Sequence, residues 1–184
     1  INHLKNIIDV IAKETRPNIK LKNKALVLIG FAGGFRRSEL VSIQYEDVEF
    51  VPEGVKIFVR RSKTDQSGEG MTKAIPYFEN LSYCPVISLK NWINHSNIAD
   101  GAIFKMSDKN VSLVIKKYAK LAGLDPSKYS GHSLRSGFAT STAEFGAEER
   151  SIMAMTGHKS TQMVRRYIQE SNLFKQNALN KIKI

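Results

Sequence analysis

Strand-forming residues are concentrated in one region of the chain, residues 47–77. DVEFV and VKIFVRR are rich in β-branched and aromatic residues, and the Pro-Glu-Gly turn between them predicts a β-hairpin. After a polar segment that contains glycine, TKAIPY predicts a third strand. The sequence therefore predicts a small three-stranded antiparallel sheet and leaves helices to build the rest of the fold.

Apolar residues recur at helical spacing through most of the remaining chain. This spacing predicts helices over residues 3–14, 20–32, 36 or 37 to 43, 85–97, 108–122, 132–145, 147–155 and 160–170. The tail, residues 171–184, has the apolar spacing of one more helix. A chain of 184 residues suits one domain. We therefore expect one mostly α domain with a small sheet, an α+β fold.

The net charge is the first indication of function. Lys and Arg number 28 against 17 Asp and Glu, which gives +11 at pH 7. Such a surface attracts polyanions, of which nucleic acid is the usual one, although an ordinary basic domain is the alternative. No apolar run approaches the ~20 residues of a membrane span, and a single cysteine, Cys84, fits a reducing compartment. We therefore expect a cytoplasmic protein that has no membrane partner.

Two basic motifs stand at predicted helix starts. In GHSLRSGFAT, His132 and Arg135 are three residues apart and share a helix face, where the helix N-terminus also favours an anion. In GGFRRSEL, Arg36 and Arg37 follow two glycines, and Glu39 is placed to brace a guanidinium. These patterns suit phosphate binding, but a capping histidine and a solvated arginine pair are the alternatives.

Two lysines of the sheet region are candidates for delivering a proton. Lys63 lies where the second strand runs into the loop, and Lys73 lies on the third strand. Most lysines on hairpins stay solvated, so the position alone decides little.

The stretch TGHKSTQMVRRYIQ holds the last candidates. Gly157 predicts a helix end, and His158 follows it directly. Tyr167 comes nine residues after that histidine, and Arg165 and Arg166 just before it would favour a phenolate. The tyrosine could be a packed ring or a nucleophile.

Together these residues predict a reaction on a phosphodiester. Attack by a tyrosine oxygen passes through a negatively charged transition state, which many enzymes stabilise with metal ions. The sequence shows no convincing set of metal ligands, and two arginine forks can clamp the non-bridging oxygens instead. A phosphotyrosyl ester keeps the energy of the broken bond, so we expect reversible cutting and joining without metal, cofactor or ATP.

The ordered motifs resemble the tyrosine recombinases of the phage integrase family. The motifs are G-F-R-R-S-E-L, a hairpin lysine, H-S-L-R, and G-H followed nine residues later by Y, and they span Arg36 to Tyr167. The resemblance implies the catalytic-domain fold of that family. It also implies a site-specific DNA recombinase or integrase that works through a 3′-phosphotyrosyl intermediate.

The resemblance also implies a role for each matching residue. Arg36 and Arg135 would bind the scissile phosphate, and Glu39 would support Arg36. The remaining four would be His132 managing the nucleophile's proton, His158 hydrogen-bonding the phosphate, Lys63 protonating the departing 5′ oxygen, and Tyr167 attacking as the nucleophile. The motif match is weakest for Lys63, because the hairpin varies in length and sequence across the family. Lys73 is the alternative for the role of hairpin lysine.

The resemblance further implies partners and missing parts. These would be double-stranded DNA, a homo-oligomer (a tetramer) on that DNA, and accessory DNA-bending proteins, in a bacterial or phage-encoded system associated with the nucleoid. Because the chain begins at Ile1 and not at Met, we expect an upstream core-binding domain outside residues 1–184. The tail 171–184 could dock on a neighbouring protomer or on its own domain. A type IB topoisomerase and a non-catalytic DNA-binding module are the alternative functions.

Binding to duplex DNA should weaken steeply with salt, because each phosphate neutralised by Lys or Arg releases a counterion. For roughly 6–10 phosphate contacts, affinity should fall about 10³–10⁵-fold between about 50 and 200 mM salt. Fluorescence anisotropy with a labelled duplex measures this. A flat response would show that the basic surface is not the DNA-binding face.

Overall fold

The computed structural model describes residues 1–60, 69–157, 160–172 and 182 of the chain. Within those ranges the chain forms eight α-helices and one three-stranded sheet, and the strands lie between the third and fourth helices. The predicted α+β class is confirmed. Among these described helices, none is both long and apolar enough to cross a lipid bilayer.

The element bounds lie within a few residues of the predicted ones. The strands are β1 (Val48–Val51), β2 (Gly54–Val59) and β3 (Met71–Pro76). The helices are α1 (Asn2–Ala12), α2 (Pro17–Ala32), α3 (Arg37–Ser42), α4 (Pro85–His95), α5 (Asp108–Leu121), α6 (Ser133–Glu144), α7 (Glu149–Thr156) and α8 (Thr161–Asn172). Nearly all of the predicted tail helix, 171–184, lies outside the described residues.

The sheet has the order β1-β2-β3, and both pairings are antiparallel. Side chains alternate along β2, where Val55, Ile57 and Val59 are buried and the residues between them are exposed. On β3 the buried positions belong to Lys73, opposite Ile57, and to Ile75, opposite Val55. A lysine therefore occupies an inward position in a strand whose neighbouring inward residues are apolar.

The middle of the main core is α2. Its residues 25–32 are all buried, because this part of the helix carries apolar residues and one glycine around its whole circumference. It packs against α1, α4 and α6. The amide Nδ2 of Asn23 donates to the hydroxyl of Tyr118 on α5 at 3.2 Å, so this buried polar pair also ties α5 to α2. The end of α2 is therefore a fixed point in the fold.

A second, smaller core holds α8. It consists of Ala139 and Ala143 of α6, Ile152 of α7 and Val164 of α8. Tyr167 packs against this cluster and is half-buried. The ring of Tyr167 is therefore placed by contacts with α6 and α7, away from the main core.

The chain turns sharply where α2 ends at Gly33. Gly34 has φ +54°, and the N–H of Phe35 donates to the carbonyl of Gly30 at 3.0 Å. A Cβ on Gly34 would stand 3.0 Å from Cδ1 of Phe138 and 3.1 Å from Cγ2 of Thr156. This position therefore needs glycine both for its left-handed backbone and for the close approach of α6 and α7.

A left-handed backbone costs an L-residue about 1–2 kcal/mol. Replacing Gly34 with Ala should lower the free energy of unfolding by more than this, because the added Cβ would also be crowded by its neighbours. Gly123→Ala is the matched control: Gly123 has φ +75°, and no atom lies within 4 Å of its added Cβ. Denaturant unfolding of both variants measures the difference. Equal losses would show that the crowding at Gly34 relaxes at no cost.

Candidate active site

Two consecutive carbonyls of the α2–α3 turn hold two buried cations. The carbonyl of Gly33 accepts from Nζ of Lys73 at 2.7 Å, and the carbonyl of Gly34 accepts from Nη1 of Arg135 at 3.0 Å. The same turn leads directly into Arg36, the residue that precedes α3. The turn therefore ties β3 and α6 to the segment that carries the first candidate arginine.

Arg36 and Glu39 form the ion pair that their spacing predicts. Oε1 of Glu39 lies 2.5 Å from Nη1 of Arg36, and its Oε2 accepts from the backbone N–H of Arg36 at 3.0 Å. The carboxylate is 2% exposed and the guanidinium 20%, so this is not a solvated pair. Arg37 points elsewhere and pairs with Asp108 of α5 at 3.0 Å. Of the two adjacent arginines, the structure places Arg36 in the site.

Arg135 is buried in the same place. Its second terminal nitrogen, Nη2, is also buried and has no hydrogen-bond partner among the described residues. Burial, and then the charge of Arg36, lower the pKa of Arg135 to about 10, while Glu39 and Tyr167 act in the opposite direction. Arg36, Glu39 and Tyr167 therefore all lie close enough to Arg135 to act on its charge. An unpaired buried guanidinium donor is costly, and a phosphate oxygen would satisfy it.

His132 stands at the start of α6 but does not cap it, because its side chain makes no capping hydrogen bond. The residue is exposed to solvent. Partial burial lowers the pKa of His132, and the charges of Arg135 and Arg36 lower it further. At neutral pH the ring is therefore mostly neutral and has a nitrogen that can accept a proton.

The surroundings of Tyr167 correct one expectation. Arg165 was expected to raise the positive potential at the phenol. Its Nε instead lies 3.1 Å from Oε2 of Glu149, and this ion pair links α8 to α7. The pair with Glu149 weakens the effect expected of Arg165, and Arg135 of α6 is a basic residue that interacts electrostatically with Tyr167.

Lys73 is completely buried, which sequence reasoning did not foresee. Its Nζ donates to the carbonyls of Gly33 at 2.7 Å and Met155 at 2.6 Å, and it lies 3.9 Å from Oε2 of Glu39. It also stands 4.5 Å from the ring centre of Phe35. Burial lowers the pKa of Lys73 to about 7; the charge of Glu39 opposes this shift, and those of two nearby arginines add to it.

A signal for this burial was present in the sequence. In MTKAIP, Lys73 is two residues before Ile75, and side chains two apart in a strand face the same side. The pattern places the lysine inward, although it cannot show which carbonyls the ammonium reaches.

Two predicted site residues, Lys63 and His158, lie outside the described residues, so their places stay predictions. The residue before His158 is described. Gly157 ends α7 with φ +66°, and its N–H donates to the carbonyl of Met153 at 2.7 Å. The predicted helix end at Gly157 is confirmed.

Arginine and lysine supply the positive charge of this site. Over the described ranges, no three His, Cys, Asp or Glu side chains are grouped so that they could hold a metal ion. The geometry thus brings together Arg36, Glu39, His132, Arg135 and Tyr167 from the turn before α3, α3 itself, α6 and α8.

The model of the phage integrase family matches residues 2–173, almost the whole chain. The chain belongs to the phage integrase family. It is 50% identical over 174 residues to an integrase/recombinase, a xerD homolog, of Selenomonas ruminantium, and the match covers 88% of this chain and 51% of that protein. This integrase-family chain therefore spans about half the length of the curated relatives it matches.

Solved structures show the same fold. XerH site-specific recombinase, in a post-cleavage complex with palindromic difH substrate, has a TM-score of 0.80 at 18% identity over 98% of this chain and 51% of that one. The catalytic domain of bacteriophage HP1 integrase has a TM-score of 0.62 at 19% identity over 100% of this chain and 96% of that one. A lambda integrase tetramer bound to a Holliday junction has a TM-score of 0.60 at 19% identity, and the match covers 99% of this chain and 49% of that one. The integrase-family chain therefore has the fold of a recombinase catalytic domain.

Replacing Glu39 with Gln should destabilise this integrase-family chain by about 3 kcal/mol at pH 7, because it breaks a buried charge network. Burial alone would raise the pKa of Glu39, but the charge of Lys73 and the hydrogen bonds from Arg36 lower it below its ordinary 4.5. The stability that Glu39 adds is therefore fully present above pH 4.5 and is lost as the pH falls through the lowered value.

The difference in unfolding free energy between the native chain and Glu39→Gln should thus shrink in acid. Urea unfolding between neutral and acid pH measures it. Glu49→Gln is the control, because that carboxylate is 66% exposed in its pair with Lys56. A difference for Glu39→Gln that is as small and as flat as the control's would contradict the buried network.

Proposed function

We propose that this chain is the catalytic part of a site-specific DNA recombinase that cleaves and rejoins DNA strands. The observation that carries the proposal is that two arginines lie at one turn. Arg36 is paired with Glu39, and Arg135 binds the carbonyl of Gly34 and feels the charge of Arg36, while its buried Nη2 has no partner among the described residues. His132 interacts electrostatically with both arginines, and Tyr167 interacts with Arg135. This is a site for a phosphodiester with a tyrosine beside it.

In the proposed cleavage step, the phenolic oxygen of Tyr167 attacks the phosphorus of one DNA strand. A bond forms between phosphorus and that oxygen, the bond to the 5′ oxygen breaks, and a 3′-phosphotyrosyl ester remains. Arg36 and Arg135 hold the two non-bridging oxygens and spread their growing negative charge. Rejoining runs the same bonds in reverse when a 5′ hydroxyl attacks.

Protons move at two places in this scheme. His132, with its lowered pKa, accepts or holds the proton that Tyr167 gives up. Lys63 gives a proton to the departing 5′ oxygen, and His158 donates a hydrogen bond to the phosphate; both assignments come from the family resemblance. Because the tyrosyl ester preserves the bond energy, the reaction needs no ATP.

The proposed substrate is double-stranded DNA. The charge of +11 supports a polyanionic partner. The difH substrate of XerH and the Holliday junction of the lambda integrase tetramer support DNA and a homo-oligomer for the whole protein. We place its action in the bacterial cytoplasm, at the nucleoid, since the relative with 50% identity comes from Selenomonas ruminantium.

The test is a covalent trap. The protein is incubated with a pool of nicked duplexes that lose a short strand on cleavage, so that the tyrosyl adduct cannot be reversed. We expect an adduct that survives denaturation, and peptide mapping should place it on Tyr167. Tyr167→Phe should abolish it, because the ring still packs but the attacking oxygen is gone. Tyr77→Phe, which removes the hydroxyl of an exposed tyrosine, should leave it unchanged.

Two outcomes would contradict the proposal. Absence of an adduct with the native protein would favour a DNA-binding module that only keeps the fold. An adduct together with relaxation of supercoiled plasmid, but no exchange between two sites, would favour a topoisomerase instead of a recombinase.

A further inference from the structure

Lys73 lies in this site, and the family motifs offer it only as the alternative to Lys63. Its side chain is 0% exposed, and a buried ammonium is costly unless its surroundings compensate it. Compensation is present: two carbonyl oxygens within 2.7 Å, and a carboxylate oxygen at 3.9 Å. The surrounding oxygens therefore stabilise a protonated lysine at this buried position.

The partners of Lys73 belong to three different elements of the site. The carbonyl of Gly33 ends α2 and precedes the turn into Arg36, and the carbonyl of Met155 lies in the last turn of α7. The carboxylate is that of Glu39, the one that braces Arg36. A cation at a helix C-terminus also interacts favourably with the negative end of the helix dipole.

We propose that Lys73 is a positioning residue of the cleavage reaction: it fixes the ends of α2 and α7 and the Glu39 carboxylate, and through these it sets the orientation of the Arg36 guanidinium. This inference rests on the proposed function, because it concerns the phosphate-binding arginine of that reaction. Lys73 touches neither DNA nor the reacting atoms.

This placement excludes the rival role of Lys73 as proton donor. An ammonium that reaches the departing 5′ oxygen would have to leave two hydrogen bonds of 2.6 and 2.7 Å and move out of a fully buried position. The proton donor is therefore a different group, and the role stays with Lys63 as the motifs predict. The two lysines of the sheet region have separate tasks.

The charges that face Lys73 fit the same role. Glu39 from α3 stabilises its protonated form, whereas Arg36 and Arg135 destabilise it. A phosphate bound between the two arginines brings negative charge beside them and offsets their effect. Lys73 therefore stays protonated, and holds its carbonyls most firmly, when the substrate is in place.

The experiment uses the full-length protein and the nicked duplex of the covalent trap. Lys73→Met keeps the length and apolar stem of the side chain and removes the ammonium. At saturating DNA its rate of adduct formation should fall about a hundredfold, the effect of a small misplacement of a catalytic group. The DNA concentration for half-maximal rate should barely change, because the DNA contacts remain. Lys56→Met, in an exposed pair on β2, is the matched control and should react normally.

A second substrate separates positioning from proton donation. When sulfur replaces the 5′ bridging oxygen, the leaving group departs as a thiolate and needs no proton, since thiols are far more acidic than alcohols. The sulfur substrate should restore the rate of Lys63→Ala but not that of Lys73→Met. Restoration of Lys73→Met would overturn the inference and make Lys73 the proton donor.

Two further results would also overturn it. The inference fails if Lys73→Met cleaves at the native rate, or if it loses DNA affinity and keeps its maximal rate. Thermal unfolding checks that the variant is folded. If it is not folded, Lys73→Gln is used instead, because it keeps an N–H donor and removes the charge. We expect this variant to cleave slowly as well, and the sulfur substrate should not restore its rate. No adduct with the native protein would instead refute the proposed function itself.

Discussion

Two adjacent peptide carbonyls, those of Gly33 and Gly34, support the positive charge on which the site depends. They accept from Lys73 and Arg135, both of which are buried, and the nearest described carboxylate, Glu39, is shared with Arg36. Three cations thus surround one anion. Carbonyl dipoles reduce this imbalance but leave a net positive charge away from water. The proposed phosphate ligand would bring negative charge to this place, so the arrangement of charges fits the proposed substrate.

The direction of those carbonyls is set by the backbone. Gly34 takes φ +54°, which reverses the chain within two residues of the end of α2. The reversal aims one carbonyl at β3 and the next at α6, and it delivers Arg36 to the start of α3. The end of α2 is held in position because the helix is buried among α1, α4 and α6. The position of the first arginine is therefore a consequence of core packing.

Local patterns predicted the elements and the contacts that lie close in sequence. Helix periodicity and strand alternation fixed the helices and the sheet, and the spacing of Arg36 and Glu39 predicted an ion pair that the structure contains. Contacts between distant residues escaped prediction. Lys73 meets Gly33 and Met155, 40 and 82 residues away. Arg165 was assigned to the potential around the phenol, but it pairs with a carboxylate 16 residues earlier, because α7 and α8 pack side by side.

The two arginines proposed to bind phosphate and the proposed nucleophile are held by different parts of the core. Arg36 and Arg135 are fixed around α2, whose packing involves most of the buried side chains. Tyr167 is carried by α8, and among the side chains described on that helix Val164 alone is buried. The half-buried Tyr167 and Ile168 pack against the same small cluster, and α8 lies against both α6 and α7. The two arginines are thus held by the main core, whereas Tyr167 is held by the smaller core of α6, α7 and α8. In the proposed reaction, the site that holds the phosphodiester and the nucleophile that attacks it would therefore be positioned by separate sets of packing contacts.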